Sequence, residues 1–194
     1  MDKNKKTILI PGWMNEKGMY NSKNSAYEVW DVWGSRIDPK DKINAHYLIG
    51  HSLGCNWALF NWKEDKNIKL ILVNPLLPKR KIGEWFSRWI EFHKKEKPPE
   101  GKKTVRGMKN FWFGIKMCWK LLRYNFDEII KNIPKEDVVI IHGEKDVFYC
   151  DDKFKEYIKT KKIKMIEVTG VGHDWHEKFD EEIKKITGFS PIEK

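Results

Sequence analysis

The sequence predicts an α/β fold, a mainly parallel sheet of about six strands with helices on both faces and one inserted helical segment. Three observations point there. Short apolar runs alternate with helix-patterned stretches along the chain. The inner runs are continuously apolar, as in strands covered on both faces. One long basic stretch with helical periodicity interrupts the alternation.

The strands are read in order. Thr7-Ile8-Leu9-Ile10 is apolar and stops at Pro11-Gly12. Tyr27 to Trp33 is rich in β-formers and stops at Gly34, and His46 to Ile49 ends at Gly50. Lys69 to Val73 and Val138 to Ile141 read as central strands. Lys164 to Val168 alternates, as an edge strand does. Helices are expected over Cys55 to Lys63, Asp152 to Thr160 and Trp175 to Ile186. Met14 to Ala26 is polar and weakly patterned, so the first crossover is expected to be a loop or a single turn.

Residues 1–78 and 134–194 thus form one core, and 79–133 an inserted cap within a single domain. In the cap, Ile82, Trp85, Phe86, Trp89, Ile90 and His93 repeat at helical spacing. After Pro98-Pro99, so do Val105, Met108, Trp112, Ile115, Trp119 and Leu122. The chain of 194 residues carries a net charge of +10. Lys79 to Arg123 holds 14 Lys/Arg against 4 Asp/Glu, so the whole excess lies in that one segment.

Composition narrows the class further. Apolar residues make up 40% and there are 10 Trp, which excludes a disordered chain. No run reaches the length of a membrane span, and the N-terminus lacks the long apolar stretch of a signal peptide. The 3 cysteines, Cys55, Cys118 and Cys150, fit neither a disulfide framework nor a zinc spacing. A cytoplasmic protein without metal or organic cofactor is expected.

The chemistry centres on Gly50-His51-Ser52-Leu53-Gly54, a G-x-S-x-G pentapeptide between an apolar run and a helical stretch. The chain must turn from strand to helix within a few residues, so the positions flanking the serine must be small. The pattern alone arises by chance about 0.06 times in such a chain; its context makes Ser52 the candidate nucleophile. A serine needs a base, and the base needs a carboxylate to orient it. Asp146 follows the Val138 run and His173 follows the Met165 run, each just beyond a strand. Glu144, Asp151 and Asp152 are rival acids that read as loop or cap residues. His176 reads as a helix-start surface residue and His142 as a packed strand end. Asn74 follows the fourth strand but has no carboxylate. Two N–H donors must hold the oxyanion, and Leu53 and Trp13 are expected to supply them.

Ile10-Pro11-Gly12-Trp13, Gly50 to Gly54, His142 to Asp146 and Gly172-His173 together resemble the α/β-hydrolase superfamily. The resemblance implies a Ser-His-Asp hydrolase acting on an ester, thioester or amide. The Pro-Gly-Trp opening and short length are similar to retinoblastoma-binding-protein-9-like hydrolases. The Gly-Trp loop and basic helical cap are similar to the pimeloyl-carrier-protein methyl ester esterases. Pro11 stands where many relatives have His, and Cys55 where Gly or Ala is common.

A carboxylic-ester or thioester hydrolase is therefore expected, with Trp13, Trp85, Trp112 and Trp119 on the substrate and Phe111 and Phe113 adding apolar surface. Lys94, Lys95, Lys102, Lys103 and Arg106 would meet an acidic acyl carrier protein, CoA or an anionic membrane surface. The alternative is a catalytically silent binding module. Nucleic acid is not the expected partner, because arginine is scarce in the cap and its aromatics fall at core spacing.

Overall fold

The computed structural model describes residues 6–20, 26–64, 66–96 and 110–188. Six strands form one sheet: β1 (Thr7–Ile10), β2 (Glu28–Val29), β3 (Tyr47–His51), β4 (Lys69–Val73), β5 (Val138–Gly143) and β6 (Lys164–Val168). Their order is β2-β1-β3-β4-β5-β6 and every pairing is parallel. The helices are α1 (Leu53–Glu64), α2 (Ile82–Lys95), α3 (Phe111–Arg123), α4 (Asp127–Asn132), α5 (Asp152–Lys161) and α6 (Glu177–Thr187).

Alternate strand residues face opposite sides, and each side has its own core. Ile8, Ile10, Leu48, Leu70, Leu72 and Ile140 meet α1, α3, α4 and α5 through Trp57, Met117, Ile130 and Phe154. On the other side Leu9, Ile49, Ile71, Val73 and Ile141 meet Tyr20 and, from α6, Phe179 and Ile183. Each fully buried side chain of this size contributes about 1.5–3 kcal/mol. Local signals set the ends of the last two helices. Asp151 caps α5 by accepting from Phe154 N–H, and His176 caps α6 by accepting from Lys178 N–H. Both helices stop at a left-handed residue, Lys162 and Gly188.

Two expectations change. The second strand is only Glu28–Val29, not Tyr27 to Trp33. Val32 and Trp33 turn away and are fully buried, so their apolar character serves the core and not a ladder. On α3 the inward face is Gly114, Met117, Cys118 and Leu121. The expected stripe of Trp112, Ile115 and Trp119 faces outward instead, 79%, 36% and 49% exposed. Small Gly114 and Cys118 let α3 approach closely, whereas the tryptophans are too bulky for that side. Val105, Met108, Lys102, Lys103 and Arg106 lie outside the described residues. Among the described residues of the first crossover there is a single 3-10 turn, Lys17–Met19.

Candidate active site

Ser52 sits between the end of β3 and the start of α1 with φ 52°, a left-handed conformation that side chains rarely adopt. Its N–H bonds the Val73 carbonyl of the neighbouring strand, and its carbonyl accepts from Cys55 N–H. The flanking glycines are sterically required. A Cβ at Gly50 would lie 2.5 Å from the Cys55 Cα, and one at Gly54 would fall on the Ile10 carbonyl oxygen. Met14 and Asn74, just beyond β1 and β4, also have positive φ. Backbone strain thus gathers at the carboxyl ends of three adjacent strands.

Loops after β5 and β6 bring the acid and the histidine to the same place. The Ser52 hydroxyl donates to His173 Nε2 at 2.9 Å. His173 Nδ1–H donates to Asp146 Oδ2 at 2.7 Å. The other Asp146 oxygen accepts from the N–H groups of Phe148 (2.7 Å) and Tyr149 (3.3 Å). All three residues are buried. Burial alone would push the Asp146 carboxyl up, but the facing His173 and the Phe148 N–H hold it below the usual carboxylate range. Burial alone would also push His173 down, yet the Asp146 carboxylate outweighs it and holds the imidazole above its ordinary 6.5.

The rival groups are engaged elsewhere. Asp151 caps α5 and pairs with Arg80. Asp152 begins α5, and Glu144 accepts from Gly170 N–H. His142 is buried at the end of β5, with Nε2 3.4 Å from Glu167. His176 is the α6 cap.

His51 of the pentapeptide and three residues that the motifs did not reveal, Tyr20, Asn74 and Glu96, brace this arrangement. His51 Nε2–H donates to the His173 carbonyl at 2.9 Å, and its Nδ1 accepts from the Tyr20 hydroxyl at 2.8 Å. Burial and the neighbouring His173 push the His51 pKa down to about 3, so its ring is neutral. Tyr20 oxygen in turn accepts from Gly12 N–H at 2.8 Å. Asn74 Nδ2 donates to the carbonyls of His173 (2.8 Å) and Gly172 (3.1 Å), while its Oδ1 accepts from Gly143 N–H. Its side chain therefore ties the loop after β6 to the end of β5. Glu96, just past α2, accepts from the N–H groups of His173 and Val147.

With Gly12 N–H occupied by Tyr20, the next amide in that loop is Trp13's. Among the described residues the N–H groups of Trp13 and Leu53 have no hydrogen-bond partner. Both residues line the cleft over Ser52, which encloses about 830 Å³ of empty space counting its open mouth. Trp85, Trp89, Phe92 and Phe148 supply much of its apolar wall; Glu96 and Asp174 also line it, and among the described residues no lysine or arginine does. Of the four tryptophans named for the substrate, Trp13 and Trp85 line the cleft; Trp112 and Trp119 do not, because α3 turns them outward. Trp89 and Phe92 join Trp85 because α2 turns that side inward. Among the described residues no cluster of side chains could hold a metal ion, and no helix is long and apolar enough to cross a membrane.

No protein-family model and no curated protein matches the chain. Solved structures do. A bacterial membrane phospholipase A matches with TM-score 0.59 and 15% identity over 97% of this chain and 80% of that one. The thioesterase domain from the curacin biosynthetic pathway matches with TM-score 0.56 and 14% identity, over 96% and 92%. An alpha/beta hydrolase enzyme from the metagenome of lagoon sediments at Mar Chica, Morocco, matches with TM-score 0.53 and 16% identity, over 95% and 90%. The chain has the α/β-hydrolase fold. At these identities the likeness carries the fold, and neither of the two narrower branches.

Proposed function

We propose that the protein is a serine hydrolase that cleaves a carboxylic ester or thioester through an acyl-enzyme on Ser52. The observation that carries this reading is the buried line from Ser52 Oγ through His173 to Asp146, with bonds of 2.9 and 2.7 Å. Ser52 Oγ attacks the substrate carbonyl carbon as its proton passes to His173 Nε2. Asp146 steadies the imidazolium, and the N–H groups of Trp13 and Leu53 receive the developing oxyanion. His173 then gives the proton to the departing alcohol or thiol, and the acyl group stays on Ser52. A water, deprotonated by His173, releases the acid and restores the serine.

Among the described residues the cleft is walled largely by aromatic side chains with Glu96 and Asp174 and without lysine or arginine, which favours an acyl portion that carries no negative charge. Phospholipase and thioesterase among the structural neighbours support acyl substrates in this fold. An acidic carrier protein or CoA would have to place its charge outside the cleft. Labelling with a fluorophosphonate probe, followed by a series of acyl esters and thioesters of rising length, tests the reading. Wild type should label and turn over; Ser52→Ala should do neither while keeping its fold. Undiminished turnover in Ser52→Ala would refute it.

A further inference from the structure

The outward faces of α2 and α3 have no counterpart in the hydrolytic chemistry. Among the described residues seven large apolar side chains are exposed, and six of them lie on these two helices. On α2 they are Ile82, Phe86 and Ile90, four residues apart and followed at the same spacing by exposed Lys94. On α3 they are Trp112, Ile115 and Trp119, with exposed Lys116 and Arg123 on the same side of the helix. An indole left 79% exposed sheds little water in the monomer, and such stripes mark contact surfaces.

Charge says what the surface contacts. From Asn110 to Phe126 there is no acidic residue, and Lys79 to Arg123 carries the entire positive excess of the chain. The Arg123 guanidinium lies 5.4 Å from the Trp119 ring, so cation and aromatic form one element. Tryptophan beside lysine and arginine suits the boundary between acyl chains and headgroups, where rings sit among the first methylenes and cations reach phosphates.

We infer that the outer faces of α3 and α2 dock on an anionic lipid surface. The same two helices wall the cleft with their other sides, through Trp85, Trp89 and Phe92 of α2 and Cys118 of α3. Among the described residues aromatic side chains wall much of that cleft, its charged lining groups are the carboxylates Glu96 and Asp174, and no lysine or arginine lines it, so a surface that supplies acyl chains fits it better than an acidic protein does. The inference deepens the hydrolase reading by naming where the substrate is met.

The test is co-sedimentation of full-length Ser52→Ala protein with vesicles of phosphatidylcholine, alone or mixed with phosphatidylglycerol. Binding is then read without turnover, so a protein that proves to be no hydrolase would still bind. The anionic vesicles should bind at least about tenfold more tightly, and added salt should weaken them. Trp112→Ala with Trp119→Ala should lose about tenfold in binding, as should Lys116→Glu with Arg123→Glu. The same pairs in the Ser52 background should still label with fluorophosphonate, which reports an intact fold. Equal binding to both vesicles, or unchanged binding without the two tryptophans, would overturn the inference. So would capture by a purified acidic acyl carrier protein with no vesicle binding, which would name the other occupant.

Discussion

The carboxylate of Glu96 accepts a 2.6 Å hydrogen bond from the main-chain N–H of His173. Its second oxygen accepts from Val147 N–H at 3.4 Å. One side chain from the inserted segment thus braces both loops that carry the proposed acid and base, and burial pushes its own carboxyl up. Glu96→Ala should lower kcat about tenfold with a smaller change in KM, because the imidazole loses part of its positioning. Glu96→Gln keeps an acceptor and should recover much of the loss. Steady-state kinetics on a short ester decides it; an alanine variant within about twofold of wild type would reject the bracing role.

Tyr20 supports the opposite side. Its hydroxyl satisfies both Gly12 N–H and His51 Nδ1 in a buried setting. Tyr20→Phe leaves these two groups without their partner and should cost about 1–3 kcal/mol of stability. Urea unfolding checks the number, and an unchanged midpoint would contradict the account.

His51 adds a pH dependence. Its folded pKa of about 3 lies below its ordinary 6.5. The unfolded chain therefore binds a proton on acidification that the folded chain refuses. Stability from this group should fall as pH drops from 6.5 toward 3, by at most about 1.4 kcal/mol per pH unit. His51→Gln should flatten that slope in melts recorded across the range.

The rate should follow His173, whose pKa is shifted the opposite way from that of His51. Its pKa is held above 6.5 by Asp146, and acylation needs the neutral ring. Activity should therefore rise with pH through an inflection above 6.5. Asp146→Asn should move the inflection down and lower kcat by about 10⁴. A wild-type inflection below 6.5 would count against the assignment.

Gly54 offers a steric test, since a Cβ there would meet the Ile10 carbonyl oxygen. Gly54→Ala should destabilise the fold by about 1–3 kcal/mol, read by thermal or urea melts. A neutral substitution would mean that the turn relaxes.

The strands and the Ser52, Asp146, His173 order were legible because each rests on local signals: an apolar run, a glycine-flanked turn, a residue just past a strand. Tyr20, Asn74 and Glu96 were not. Glu96 and Asn74 reach His173 from 77 and 99 residues away and Tyr20 reaches His51 from 31, and no short pattern marks them. The orientation of α3 was hidden for another reason. Apolar residues surround much of that helix, so periodicity gives two candidate faces and only the small size of Gly114 and Cys118 separates them. The second strand was overread because Val32 and Trp33 are apolar for packing and not for pairing.

The Trp13 indole N–H donates to the Gly114 carbonyl of α3 at 3.0 Å. That bond has a mechanical meaning, because Trp13 is also the proposed main-chain donor beside Ser52. A surface that held α3 from outside would, through this bond, restrain the loop within. Free-energy linkage runs both ways: occupancy of the oxyanion position would then tighten whatever α3 grips, by the same factor that the grip favours catalytic occupancy.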